Sequence, residues 1–277
     1  MDSEKPADGV FGSLELELEP PAGFCGAAFD LGPYLQGVIM EEIASDFAEF
    51  LHSVPLNPYS QSCTAVDGGL VWRVNTLTAD AYEQVLGPLQ APGFDKVQLR
   101  AVGNATFRIR AKTLRSNPAG DVTRLFYADP PRSTRIIFAT PSAFKQGGRY
   151  VFHPDIRLLF QSSMMRYSYF FEGSKEPDEE VLDRLTSSVH ITSYRLSSRY
   201  FPVGQTKIPA FTGQIVAHLG DVKSLAAYAN MLMVFATWTG IGAKTALGMG
   251  SIRVEPLVGR AEKTAGHRQE GNKHEAE

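Results

Sequence analysis

A glycine-rich segment near the C-terminus constrains the fold of this chain more than any other feature. Residues 240–250 form two Gly-apolar-Gly triplets around a five-residue centre that contains Lys244. The four glycines are Gly240, Gly242, Gly248 and Gly250. Ordering glycine costs more entropy than ordering any other residue, so this density predicts positive φ angles or close backbone approach. A helix-like stretch precedes the segment and a strand-like stretch, 251–254, follows it, so we predict either a functional loop or a conformationally demanding turn between helix and strand.

Two familiar phosphate-binding motifs do not fit this loop. A Walker A loop needs glycine directly before Lys-Ser/Thr, whereas Ala243 precedes Lys244 and Thr245 here. A dinucleotide-binding fingerprint follows a strand and opens a helix, which is the reverse of the order predicted here. The loop therefore calls for a different interpretation.

The composition is typical of a soluble globular protein with room for about two domains. The chain has 277 residues, of which 43% are hydrophobic and 21% charged. Its acidic N-terminus does not resemble a secretory signal, and Asn230 and Lys244 interrupt the most apolar stretch, 225–247. Cys25 and Cys63 lack metal-ligand spacing. We therefore expect a cytoplasmic protein with no membrane partner, no metal and no cofactor.

The net charge of -3 conceals a basic body. Residues 1–50 contain 11 acids and one lysine, whereas residues 51–256 contain 15 acids and 22 bases, which is a net charge of +7. No acidic residue occurs from Lys96 to Gly120, where six residues are basic. Because polyanion binding needs a local cationic patch rather than a basic total, the sequence is compatible with RNA binding.

Apolar periodicity predicts an α+β protein made of two similar halves. The first half reads as strand, helix, strand, strand, helix and strand, the βαββαβ plan of ferredoxin-like (RRM-like) domains. Its predicted segments are 13–19, one helix from 32 to 51, 59–65, 70–75, 78–89, 96–101 and 104–114. The second half repeats the plan at 134–140, 154–165, 177–186, 190–201, 207–219, 222–237 and 251–254. We predict tandem ferredoxin-like domains at 13–120 and 133–258, the second with the glycine-rich loop, a loose leader 1–12 and a disordered tail 259–277.

Several motifs resemble one protein family. The glycine-rich loop is similar to that of the RAMP superfamily of CRISPR-associated RNA-binding proteins, and most of all to the endoribonucleases that process CRISPR repeats. Segments 141–144, 147–150, 154–160 and 211–213 resemble the second domain of these enzymes, and 51–60 resembles their histidine segment. The resemblance covers most of the chain. It implies metal-independent cutting of precursor CRISPR RNA into guide RNAs, with 2′,3′-cyclic phosphate and 5′-hydroxyl ends.

His52 is the predicted proton-transfer residue. A free histidine has a pKa of about 6.5, which suits proton transfer near neutral pH, and His52 occupies the position of the family's catalytic histidine. The alternative role for His52 is a cap at the end of a helix. The candidate partners of His52 are Tyr34, Tyr59 and Ser60. The candidates for the charge-stabilising cation are Lys207 and Lys244.

Alternating cations suggest where RNA binds. Arg108, Arg110 and Lys112 alternate with apolar residues, which predicts three cations on one strand face, although a solvated outer face would look the same. The predicted RNA-binding residues are these three with Arg149, Arg195, Arg199, Lys207, Lys244 and the four loop glycines; the loop would let backbone N–H groups approach the RNA, with Lys244 against a phosphate. Such cations hold phosphates and hairpin shape rather than read bases. By resemblance, the substrate is a CRISPR repeat, often a stem-loop, and a CRISPR effector complex is a candidate partner.

Two other classes of protein share these features. A non-catalytic RAMP subunit would hold guide RNA without cutting it, and mutation of His52 would then leave every activity unchanged. An unrelated ferredoxin-like module would show no salt-sensitive RNA binding. The basic body of the chain argues against the second class, and no DNA partner is expected.

Overall fold

A computed structural model describes residues 10–174 and 176–257. In the first half, five antiparallel strands form one sheet in the order β2-β3-β1-β5-β4. The strands are β1 (Val10–Glu19), β2 (Tyr59–Val66), β3 (Gly69–Thr76), β4 (Lys96–Leu99) and β5 (Ala105–Pro118). Leu14, Leu16 and Leu18 of β1 are buried and alternate with glutamates, so one face of the sheet carries the core.

Helices cover that face. They are α1 (Gly32–Glu42), α2 (Ser45–Ser53) and a longer stretch made of α3 (Ala79–Ala81), a π turn (Tyr82–Leu86) and α4 (Gly87–Gln90). Leu35 and Ile39 of α1 and Leu89 of α4 pack into the same cluster as Trp72 of β3. The apolar stripe of each helix thus faces the apolar side of the sheet.

The second half begins with a short helix, α5 (Ala119–Arg124), and a 3-10 turn (Leu125–Tyr127). Its remaining elements are β6 (Ser133–Ser142), β7 (Phe144–Gln146), β8 (Arg149–Val151), α6 (Ile156–Tyr167), a π turn (Ser168–Glu172), α7 (Glu179–Ser188), β9 (His190–Val203), β10 (Thr206–His218), α8 (Lys223–Thr239) and β11 (Ile252–Leu257). The four long strands form a sheet in the order β11-β6-β10-β9, and β7 pairs with β8. Helices α6, α7 and α8 contribute to one large apolar cluster with this sheet.

The topology confirms the predicted fold. In the first half, β5 lies beside β1, which is followed by β3 and then β2, and β4 is an added strand at the edge of the sheet. In the second half, β11 lies beside β6, which is followed by β10 and then β9. This is the antiparallel arrangement of two tandem ferredoxin-like folds in an α+β protein. Where the two units of folding begin and end, at 13–120 and 133–258, stays a prediction. In the described residues, no helix has both the length and the apolar character needed to span a membrane.

Two local predictions were wrong, and one helix was not predicted. The predicted single helix is two, because the backbone becomes extended at Ile43 and Ala44, which buries the Ile43 side chain. The leader ends earlier than predicted, since β1 already begins at Val10 and Phe11 packs against Phe171, Phe235 and Trp238 of the second half. The linker contains α5, which was not predicted. The predicted tail, 259–277, and leader residues 1–9 lie outside the described residues.

Candidate active site

A cleft of about 370 Å³ lies between the two halves of the protein. The first half contributes His52 from α2 and Tyr59 from β2, and the second half contributes Arg166 from α6 and Lys244 from the glycine-rich loop. Among the residues that the structure describes, no Asp or Glu lines the cleft. In the described part of the chain, no group of three or more His, Cys, Asp and Glu residues is placed to hold a metal ion. The ionisable side chains among the described lining residues are therefore His52, Tyr59, Arg166 and Lys244.

His52 lies in the last turn of α2 rather than after the helix. The backbone is extended at Val54, so the helix ends there and the chain turns into the segment with Pro55 and Asn57, which also lines the cleft. The His52 side chain is exposed. The imidazole can therefore contact a ligand bound in the cleft.

Lys244 presents its side chain from a strained backbone position. Its φ of 60° and ψ of 34° are left-handed, and the only other non-glycine residue with positive φ in the described ranges is Asn104. The Lys244 carbonyl accepts hydrogen bonds from the N–H groups of Leu247 at 2.9 Å and Met249 at 3.3 Å, which fixes the turn. Left-handed backbone disfavours a side chain with a Cβ by about 1–2 kcal/mol. Lys244 is therefore a candidate functional residue.

The glycines shape this loop, and their own N–H groups are bonded within the protein; contact of the loop backbone with RNA stays a prediction. Each of the four donates within the protein: Gly240 to Ala236 O, Gly242 to Ser162 Oγ, Gly248 to Thr245 O and Gly250 to Pro141 O, at 2.8–3.2 Å. All four have positive φ. A Cβ on Gly242 would lie 2.3 Å from the carbonyl oxygen of Ala143, and one on Gly250 would lie 2.0 Å from that of Ile241. Close backbone packing therefore explains these glycines.

A buried glutamine connects the two walls of the cleft. Gln61 Nε2 donates to Gly32 O of α1 and to Ala246 O of the glycine-rich loop, both at 2.9 Å. Trp72 Nε1 donates to Gln61 Oε1 at 2.7 Å, so the amide orientation is fixed. Because Gln61 is only 2% exposed, losing either bond leaves a buried polar group unsatisfied. This bridge holds the loop with Lys244 against the half that carries His52.

Arg166 is the cleft residue that sequence reasoning missed. It is 8% exposed, and its Nη2 donates to Gly242 O at 3.2 Å and to Thr245 Oγ1 at 3.1 Å. Burial lowers the pKa of its guanidinium to about 10, so it remains charged at neutral pH. The sequence did contain a signal: Arg166 follows Leu159 and Ser163 at helical spacing, on the buried face of α6. A cation in such a stripe is unusual.

The three candidate partners of His52 have different surroundings. Tyr59 lines the cleft and is buried, and burial raises the pKa of its phenol to about 12 despite an opposing contact with Gln36. Tyr34 is 41% exposed on α1 and does not line the cleft. Ser60 points away from the cleft, because its Oγ donates to Trp238 O at 2.6 Å. The geometry thus retains Tyr59 and argues against Ser60 as a catalytic group.

The predicted row of three cations on β5 was wrong. The pairing of β1 with β5 shifts between Glu17 and Leu18, so Lys112 lies opposite Leu16 on the helix-covered face. A one-residue shift of this kind reverses the face that each later side chain takes. Lys112 Nζ there donates to Leu89 O at 2.8 Å and Ala91 O at 2.7 Å, which caps the end of α4. Arg108 stays exposed, and Arg110 forms an ion pair with Glu19 at 2.9 Å.

The remaining predicted RNA contacts lie outside the cleft. Arg195 and Arg199 share one face of β9, as predicted, since they pair in uninterrupted register with Gln214 and Ala210. Both are exposed, as are Arg149 on β8 and Lys207 on β10. Their contact with RNA stays a prediction. Of the two candidate charge-stabilising lysines, the fold brings Lys244 and not Lys207 to the cleft with His52.

Comparison with known proteins gives one consistent result. The family model described as CRISPR-associated endoribonuclease Cas6 matches residues 136–252. A CRISPR-associated endoribonuclease Cas6 of Mycobacterium tuberculosis is 41% identical over 250 residues, which is 90% of this chain and 79% of the relative. The corresponding protein of Streptococcus thermophilus is 33% identical, over 82% of this chain and 93% of its own. A solved Cas6 product complex is 26% identical, covers 89% of this chain and 99% of its own, and has a TM-score of 0.70.

Proposed function

The chain belongs to the CRISPR-associated endoribonuclease Cas6 family, and from this premise we propose that its cleft cuts precursor CRISPR RNA within the repeat without a metal. One observation carries the proposal: His52 and Lys244, from different halves of the chain, line a single cleft that no carboxylate of residues 10–174 or 176–257 lines. The RNA we propose is a repeat that folds as a stem-loop. The exposed cations Arg195, Arg199 and Arg149 would contact its phosphates.

In the proposed reaction, the RNA supplies its own nucleophile. The 2′-oxygen beside the cut attacks the phosphorus, the bond from phosphorus to the 5′-oxygen breaks, and the products carry a 2′,3′-cyclic phosphate and a 5′-hydroxyl. One proton leaves the 2′-hydroxyl and one joins the 5′-oxygen. The His52 imidazole performs one of these transfers, which typically accelerates such a reaction by about 10²–10⁴-fold. Binding of the RNA on both sides of the cut holds the 2′-oxygen in line with the bond that breaks.

Lys244 provides the charge that the transition state needs. Negative charge builds on the phosphate oxygens during the attack, and an ammonium group beside them stabilises it. The strained backbone of Lys244 fixes the position from which its amine enters the cleft. Tyr59 remains a neutral hydrogen-bond donor, since its pKa of about 12 keeps the phenol protonated. These roles divide proton transfer and charge stabilisation between the two walls.

The test is cleavage of an end-labelled CRISPR repeat from the source genome, in EDTA. Wild type is compared with His52→Ala and with His153→Ala, a matched control that removes another exposed histidine outside the cleft. We expect one cut with a cyclic phosphate end in wild type and the control, and a rate about 10²–10⁴-fold lower in His52→Ala with binding intact. Tight binding without any cut by wild type would instead indicate an RNA-holding subunit.

A further inference from the structure

Arg166 is a buried cation without an anionic partner. Within residues 10–174 and 176–257, no carboxylate oxygen lies within the 4.0 Å that defines an ion pair with its guanidinium. Its two described hydrogen bonds are to a carbonyl and a hydroxyl, which are neutral acceptors. Charged groups that leave water are normally paired, because the loss of hydration is large. A neutral side chain could tie Gly242 to α6 without that penalty.

The guanidinium also has unused donors. Arginine has five N–H donors, and both described bonds start from Nη2. In the described residues, Nε and Nη1 of Arg166 make no hydrogen bond. Neither atom is among the fully buried polar atoms that lack a partner, so both keep some contact with solvent. Arg166 itself lines the cleft that contains His52 and Lys244. The free edge of the guanidinium can therefore meet a ligand in the cleft.

Phosphate is the anion that fits this arrangement. A guanidinium binds two phosphate oxygens through parallel hydrogen bonds, whereas an ammonium acts as a point charge beside them. Arg166 and Lys244 reach the cleft from α6 and from the glycine-rich loop, and Arg166 is bonded to that same loop at Gly242 and Thr245. The buried guanidinium of Arg166 and the exposed side chain of Lys244 are thereby connected through the glycine-rich loop.

We propose that Arg166 and Lys244 form a phosphate-binding site, in which Arg166 holds the phosphate at the cut and keeps hold of the terminal phosphate of the product. This inference rests on the proposed function only for the identity of the RNA. It assigns Arg166 a contact with the substrate in addition to its bonds to the loop. The protein should consequently distinguish an RNA that ends in phosphate from one that ends in hydroxyl.

The experiment compares two synthetic RNAs that end at the cleaved nucleotide, one with the 2′,3′-cyclic phosphate of the proposed product and one with free 2′- and 3′-hydroxyls. Dissociation constants are measured for wild type, Arg166→Gln, Arg166→Lys and the control Arg184→Gln, an exposed arginine outside this cleft. Wild type and the control should prefer the phosphate end by about tenfold or more. Arg166→Gln should lose this preference, and Arg166→Lys should retain only part of it.

Three outcomes overturn the proposal. Equal binding of both RNAs by wild type shows that no terminal phosphate is held, and this result does not depend on any variant being folded. An unchanged preference in Arg166→Gln shows that Arg166 only ties the loop to α6. An undiminished preference in folded Arg166→Lys excludes the paired hydrogen bonds. Failure of the proposed function would give a different result. Wild type would then bind neither RNA, or it would leave the intact repeat uncut.

Discussion

Replacing Gly32 with alanine should separate the two walls of the cleft. Gly32 begins α1 with ordinary helical angles, φ −48° and ψ −52°, so alanine is not disfavoured by the backbone. Its added Cβ would lie 2.2 Å from the carbonyl oxygen of Leu247 in the glycine-rich loop. Real Cβ atoms essentially never approach closer than 3.0 Å, so the two backbones must move apart by about 0.8 Å. The movement also stretches the Gln61 bridge to Gly32 O and Ala246 O.

This displacement determines how much cleavage rate and how much stability the Gly32→Ala variant should lose. Misplacing a catalytic group by about 1 Å can lower a rate by about 10²-fold, so single-turnover cleavage by Gly32→Ala should fall by one to two orders of magnitude. Overpacking at a site of this kind typically destabilises by about 1–3 kcal/mol. RNA affinity should change much less, because the atoms nearest to the new Cβ belong to Leu247 and Gly248 of the loop and not to the exposed cations of β8 and β9.

Gly37→Ala is the matched control. Gly37 lies in the same helix, and a Cβ there would meet no atom within 4 Å. We expect unchanged cleavage and a gain of about 0.5–1 kcal/mol in the free energy of unfolding, since alanine is the better helix former. Stability is measured by urea unfolding. The cleavage rate is measured separately, with enzyme in excess over RNA. If Gly32→Ala cleaves as fast as Gly37→Ala, the contact between Gly32 and Leu247 does not position the site.

Three further substitutions test single contacts. Lys112→Met should lower the free energy of unfolding by about 1–3 kcal/mol in urea, since it removes charged bonds to two carbonyls, and leave RNA affinity unchanged; a tenfold loss of affinity at constant stability would restore Lys112 as an RNA contact. Ser60→Ala should keep the wild-type cleavage rate, and a tenfold slower, fully folded variant would return Ser60 to the site. The folded pKa of Tyr59 lies above its ordinary value of 10.0, so the stability linked to its protonation is complete below about pH 10 and is lost as the pH rises towards 12. Wild type should therefore lose more stability than Tyr59→Phe in that window, and equal losses in urea unfolding would contradict the burial of the phenol.

Periodicity and turn residues were sufficient to predict most of the fold. Alternation in β1 and the apolar stripes of α1 and α8 depend on which face of a single element is buried, and that information is local. The division of the first helix at Ile43 was missed, because a helical stripe continues in sequence across the break. The helix α5 was missed because it has only six residues.

The site was only partly predictable, because it depends on contacts between distant segments. His52 and Lys244 were named from motifs, yet only the fold shows that they line one cleft. The face of Lys112 depends on a register shift that involves β1, and strand alternation alone cannot reveal it. Arg166 gains its significance from the glycine-rich loop that its guanidinium contacts. Pairings of this kind are set by tertiary structure rather than by local pattern.

The most direct test of the central claim changes one atom of the RNA. A CRISPR repeat with a single 2′-deoxy nucleotide on the 5′ side of the cut lacks the proposed nucleophile but keeps every phosphate and base. We expect wild-type protein to bind it with the same dissociation constant as the all-ribose repeat and to leave it uncut in EDTA. Cutting of the deoxy repeat at the same position would require another nucleophile and would contradict the proposed roles of His52 and Lys244.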